Sequence, residues 1–168
     1  MKKTIYLVLA CIMVALGATD TAYAQTKMKK KTLKGTWTLS EMRFVGEKGL
    51  YKANLFGIAD SPCFKGGEWM FIPNNGTGRF SINGTERCEE GTHRILWSFY
   101  DNGDGTAQIE FKLVDEKNKP ISGNLDGYSM LVESLSAEQT ILRVQTDYDG
   151  QPFDIVMTLD KVSKDVTL

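Results

Sequence analysis

Gly35-Thr36-Trp37-Thr38-Leu39-Ser40-Glu41-Met42-Arg43-Phe44 places apolar side chains at every second position. Trp37 and Leu39, in phase with Leu33 and Gly35, take the odd numbers, and Met42 and Phe44 the even ones. A period of two is the repeat of a half-buried β-strand, and a change of parity in mid-run is what a bulge near Ser40 produces. The same alternation returns in Glu68 to Ile72, Thr77 to Ile82, Thr92 to Tyr100, Thr106 to Val114, Tyr128 to Leu135, Thr140 to Tyr148 and Pro152 to Val162. Ala107, Ile109, Phe111 and Leu113 alternate with Gln108, Glu110 and Lys112, and Phe153, Ile155, Met157 and Leu159 share one face. Eight strands are predicted, each with one face buried.

The connections alternate as regularly as the side chains. Pro73-Asn74-Asn75-Gly76, Asp101-Asn102-Gly103-Asp104-Gly105 and Ser136-Ala137-Glu138 are short and rich in turn residues. Residues 46–67, 83–91 and 115–127 form the long connections between them, and only Asp149-Gly150-Gln151 is a short turn on the long-loop side. Successive hairpins of an up-and-down barrel alternate ends. The chain is therefore expected to be an all-β, eight-stranded antiparallel up-and-down barrel. One end is closed by short turns, and a long loop or short helix joins the first two strands at the other.

Residues 1–24 are read apart from the barrel. Lys2-Lys3, the apolar run from Ile5 to Leu16 and Ala22-Tyr23-Ala24 have the form of a cleaved secretory signal. The apolar run is shorter than the roughly 20 residues of a spanning helix. A lipoprotein site at Cys11 is disfavoured, because the run continues past that cysteine. Of the 168 residues, 144 then remain, which suits one domain. They divide into a basic flexible segment 25–32, a barrel 33–162 and a tail 163–168. Acidic and basic side chains nearly balance, so no nucleic-acid partner is implied. Lys27, Lys29, Lys30, Lys31 and Lys34 form the one charge run, through which the N-terminus could touch an envelope surface. The expected location is secreted or periplasmic.

Two cysteines, Cys63 and Cys88, remain beyond the leader. In an oxidising compartment they are expected to form a disulfide. Free thiols or a metal pair are poorer readings, since zinc needs further Cys or His ligands and His93 is the lone histidine.

Taken together, Gly35-Thr36-Trp37 at the head of strand one, Cys63 before strand two, Phe71-Ile72 running into Asn75-Gly76-Thr77, Cys88, and Leu135-Ser136 before the penultimate strand resemble the small secreted bacterial lipocalin-like domains, calycin-type barrels. The resemblance spans roughly 33 to 162. It implies that Trp37 packs across the closed base and that function lies at the opposite mouth. Residues 46–67 match no lipocalin pattern beyond Cys63. Leu50, Tyr51, Leu55, Phe56 and Ile58 make this segment too apolar for a solvated loop. Two readings stay open: residues 51–59 form a helical or Ω-type lid over the mouth, or the segment plugs the barrel or covers the outside of strand two at Trp69 and Phe71.

Met70, Ile72, Phe80, Ile82, Ile95, Trp97, Phe99, Ile109 and Phe111 are expected to face inward, around either a cavity or a filled core. Strands of this length favour the cavity. The candidate ligand contacts are Met70, Ile82, Ile95, Phe111, Tyr128 and Phe153, with Arg94 as a charge partner at the rim. Catalysis, a metal and a cofactor are not expected. No spacing joins a nucleophile to a base, and Asp101-Asn102-Gly103-Asp104-Gly105 places Gly where a calcium loop needs a ligand. The predicted function is the binding of a small hydrophobic or amphipathic molecule, the alternative a filled barrel that serves as a protein-interaction or inhibitor module.

Overall fold

A computed structural model describes residues 27–46, 53–121, 127–148 and 150–162. Residues 1–24, Gln25, Leu50, Tyr51 and residues 163–168 lie outside the described residues. Strands β1 (Gly35–Val45), β2 (Asn54–Leu55), β3 (Ala59–Asp60), β4 (Glu68–Ile72), β5 (Thr77–Ile82), β6 (Gly91–Asp101), β7 (Ala107–Val114), β8 (Tyr128–Leu135), β9 (Gln139–Tyr148) and β10 (Gln151–Lys161) follow in order. Eight of them close into a barrel, β1-β10-β9-β8-β7-β6-β5-β4, every pair antiparallel, and β2 and β3 form a separate hairpin. The bulge falls where the parity changes, between Leu39 and Glu41 opposite β10. The expected barrel is therefore present, with a small hairpin in place of the expected loop or helix.

The base explains the Gly35-Thr36-Trp37 motif. Gly35 holds φ +111°, a conformation that L side chains rarely adopt, and a Cβ there would lie 3.2 Å from Lys161 Nζ. Two residues on, Trp37 points into the barrel, fully buried, and its indole N–H donates to Leu33 C=O at 2.8 Å. The Lys161 ammonium lies 4.0 Å from the Trp37 ring centroid and donates to Lys34 C=O. Leu33 itself is not in β1 but in a 3-10 turn, Lys30–Leu33, which carries it under the base. Lys30 from the same turn sits over the Trp97 ring at 4.8 Å.

Register corrects the expected facing of β4. Directly paired residues share a face, and β1 pairs with β4 as Gly35↔Phe71 and Trp37↔Trp69. Trp37 is inside, so Trp69 and Phe71 are inside too and fully buried, whereas Met70 and Ile72 face outward. Met70 and Ile72 were expected inward, and Trp69 and Phe71 outward. Trp69-Met70-Phe71-Ile72 is apolar on both parities, so only the partner strand decides. Phe80, Ile82, Ile95, Trp97, Ile109 and Phe111 point inward as expected, all buried.

Beyond Thr38, β1 loses its β4 partner, and the connection 53–67 takes over. Leu39 N–H donates to Gly67 C=O and Gly66 N–H to Leu39 C=O. Gly67 is obligatory here, since a Cβ would lie 2.0 Å from Ser81 O. The following long connections, 83–90 and 115–127, leave from the same end. Across the outside of β8–β10, Arg143 bonds Glu133 at 2.5 Å and Asp154 at 2.6 Å, a cross-strand ion triad that fixes this side of the wall.

Candidate ligand site at the barrel mouth

The connection between β1 and β4 turns inward on a single side chain. Phe56 and Gly57 occupy the two central positions of a turn closed by Ile58 N–H donating to Leu55 C=O. Both have positive φ, 57° and 68°, as in the type I′ turns that join tight hairpins. This turn joins β2 to β3, which is why residues 51–59 form neither a helix nor an Ω-loop where they are described. For a phenylalanine the left-handed conformation costs about 1–2 kcal/mol. The return is burial: Phe56 drops into the barrel and is only 4% exposed.

Five rings surround it. Phe111 lies 4.9 Å away at 78°, Tyr128 at 5.3 Å and 70°, Phe64 at 5.7 Å and 83°, Trp69 at 6.0 Å and 73°, and Phe80 at 6.2 Å and 53°. Four of the five meet Phe56 edge to face, the preferred arrangement of aromatic quadrupoles. Phe64 comes from a second 3-10 turn, Ser61–Phe64, pinned by the Cys63–Cys88 disulfide to the connection between β5 and β6. The expected bridge is present, at the mouth. Phe56 and these rings fill the mouth end of the barrel. The described part of the segment, 53–67, plugs the barrel mouth.

Beside the plug a cleft of about 340 Å³ runs between the β2–β3 hairpin and strands β8, β9 and β10, lined among others by Ala53, Leu55, Phe56, Tyr128, Val144 and Ile155. Tyr128 Oη closes one side, 3.1 Å from where a Cβ on Gly57 would lie. Of the seven residues expected to touch a ligand, Tyr128 lines this cleft and Phe111 supports it through the Phe56 and Tyr128 rings. Ile82, Ile95 and Phe153 are buried in the inner wall, Phe153 stacked on Phe44 at 5.5 Å. Met70 and Arg94 are on the outside. There the row Met70↔Arg79↔Arg94↔Val114 crosses four strands and lines a separate groove of about 480 Å³ with Ile72 and Ile121. Phe56, Phe64, Trp69, Val144 and Ile155 went unrecognised as site residues. For Phe56 the signal was present, an aromatic residue before glycine in a loop too apolar to face water.

Two polar features mark the interior. His93 faces inward on β6, half-buried, with its ring stacked on Phe80 at 5.2 Å. Burial disfavours the imidazolium and lowers its pKa below 6.5. As pH falls through that value, the unfolded chain takes up a proton that the folded chain resists. The contribution of His93 to stability therefore declines from about pH 6.5 down to the folded pKa and is constant below it. In urea titrations between about pH 8 and pH 5, His93→Gln is expected to lose less stability than the parent; parallel losses would contradict this. The second feature is a pair of buried polar atoms without a partner among the described residues, Ser61 Oγ and Trp69 Nε1. An unsatisfied buried donor costs about 1–3 kcal/mol.

Among the described residues, no group of three His, Cys, Asp or Glu could hold a metal, and no helix is long and apolar enough to cross a membrane. The Asp101 and Asp104 carboxylates cap backbone N–H groups of their own turn, Gly103 at 3.0 Å and Thr106 at 2.9 Å.

No family model and no curated protein matches the chain. Among solved structures it is similar to bovine odorant-binding protein complexed with its natural ligand, with a TM-score of 0.43 and 15% identity over 83% of this chain and 77% of that one. It is also similar to the bovine protein complexed with a selenium-containing odorant, TM-score 0.41 and 14% identity over 83% and 76%. A third structure, odorant-binding protein from bovine nasal mucosa, gives 0.42 and 12% over 83% and 77%.

Proposed function

We propose that the protein is a lipocalin-like carrier outside the cytoplasm that binds one small hydrophobic or amphipathic molecule at the long-loop mouth of its barrel. One observation carries the reading: a cleft of mixed walls, apolar at Leu55, Val144 and Ile155 and polar at Asn54, Gln145 and Thr146, opens at that mouth and ends on Phe56, a side chain that a two-residue hairpin holds inside the barrel at unfavourable φ. The cleft volume falls in the range of small-molecule sites. The disulfide supports an oxidising compartment, and the form of residues 1–24 supports export through a cleaved signal. The basic segment from Lys27 to Lys34 would then face the envelope surface.

A second reading has its own support. The mouth filled by Phe56, together with Arg79 and Arg94 directly opposed on an outer face flanked by exposed Ile72 and Ile121, suits a protein-interaction module. Titration with 1-anilinonaphthalene-8-sulfonate separates the two. The carrier gives saturable one-to-one binding that Val144→Trp weakens at least about tenfold by filling the cleft. Absence of saturable binding, together with native mass spectra of protein from its own cells that show no co-purifying small molecule, would overturn the carrier reading.

A further inference from the structure

The three tryptophans of the chain are treated differently. Trp37 Nε1–H donates to Leu33 C=O and Trp97 Nε1–H to Thr77 C=O, each at 2.8 Å. Trp69 is fully buried, yet its Nε1–H has no acceptor among the described residues. Its ring stacks on Phe80 at 4.5 Å and meets the Phe56 ring edge-on. A phenyl side chain offers no oxygen or nitrogen to receive that proton. A fold that satisfies two indoles and leaves the third unsatisfied in the inner barrel wall, against the Phe56 ring, has kept the third for something else.

The occupant of the same wall is also out of the ordinary. Phe56 belongs to no barrel strand, and its turn is held by one hydrogen bond within a hairpin of two residues per strand. Withdrawing it breaks no rung of the eight-stranded ladder. What it would leave behind is a slot shaped by the edges and faces of Phe64, Trp69, Phe111 and Tyr128 at 70–83° to the present ring. That geometry rewards a flat π-system over an alkyl chain, which has no quadrupole to meet those edges.

We infer that the molecule taken at the mouth is a small aromatic compound bearing a hydrogen-bond acceptor, that its ring replaces the Phe56 phenyl, and that its acceptor receives the Trp69 indole proton. This rests on the mouth being the ligand site. Phe56 is then a resident stand-in that keeps the ligand-free mouth dry and supplies the ring but not the acceptor.

Acetophenone, ethylbenzene and 2-octanone test the parts separately, since the first has ring and acceptor, the second only the ring and the third only the acceptor. Acetophenone is expected to bind about tenfold more tightly than either of the others. It alone should move the Trp69 indole proton downfield, as a new hydrogen bond does, in ¹H–¹⁵N spectra of the parent protein. In Phe56→Ala all affinities rise, because nothing has to be displaced, and in Trp69→Phe the preference for acetophenone over ethylbenzene collapses toward unity. Equal binding of the three with an unmoved Trp69 resonance would overturn the inference and leave the mouth site standing. If none of them binds and Val144→Trp leaves 1-anilinonaphthalene-8-sulfonate binding unchanged, the mouth reading itself falls. The spectra of the parent protein decide the matter even if a variant does not fold.

Discussion

Trp37→Ala is expected to lower the free energy of unfolding by about 4 kcal/mol, within the range for truncating a fully buried tryptophan. The side chain has no exposed surface, and its loss opens a void at the narrow end of the barrel, where β1, β4 and β10 converge on it. Closely paired strands cannot collapse into that void without losing ladder bonds, so the site relaxes poorly. Two further losses add to the void. Leu33 C=O gives up its indole donor, and the Lys161 ammonium, already partly desolvated, loses the ring beneath it. Trp37→Phe restores much of the volume but not the donor, so it should fall between the parent and the alanine variant. Equilibrium unfolding in urea measures both. A Trp37→Ala loss below about 1 kcal/mol would show that the base is not closed as described.

The second large effect belongs to the disulfide. Replacing Cys63 and Cys88 together by Ser is expected to cost about 3.5 kcal/mol, the chain-entropy value for a closed loop with a sequence separation of 25. For a domain of this size that is a fall in Tm of about 10 °C. Unlike the loss of Trp37, this one should reach the site. Cys63 lies in the 3-10 turn Ser61–Phe64, and Phe64 meets both Phe56 and Phe80. Untethered, that turn is held chiefly by short contacts such as Ser61 N–H donating to Ala53 C=O. Hydrogen exchange in residues 53–66 should therefore quicken more than in β8–β10. Calorimetry of the reduced and the double-Ser protein checks the stability term, and a Tm within about 2 °C of the parent would contradict it.

The barrel was legible in the sequence because each strand carries its own evidence. Period-two alternation in Ala107 to Val114 and Phe153 to Leu159, the parity change at Ser40, and the alternation of short and long connections are local patterns that need no partner to be read. The cysteine pair was legible for a related reason: in an antiparallel meander the connections before strand two and after strand three reach the same end. The site was much less legible. Tyr128 and Phe111 belong to it, but Met70 and Arg94 were assigned to a mouth whose wall they do not line. Trp69-Met70-Phe71-Ile72 offers an apolar side chain on either face. Only its pairing with Gly35 and Trp37 of β1 shows which face is inside.

The plug divides the two kinds of knowledge. Composition alone showed that residues 46–67 hold too many apolar side chains to be left in water, and hence that the segment folds back on something. Whether it covers, gates or fills depended on where one turn, Phe56-Gly57, comes down, and that position is set by strands far away in the chain: β7 supplies Phe111, β8 supplies Tyr128, and the bridge to Cys88 fixes Phe64. Strand number, order and the closed end follow from local periodicity and turn chemistry, because each is fixed within a few residues. The facing of β4, the filled mouth and the position of the Trp69 indole come from contacts between segments distant in sequence, and only closure of the barrel brings those segments within reach of one another.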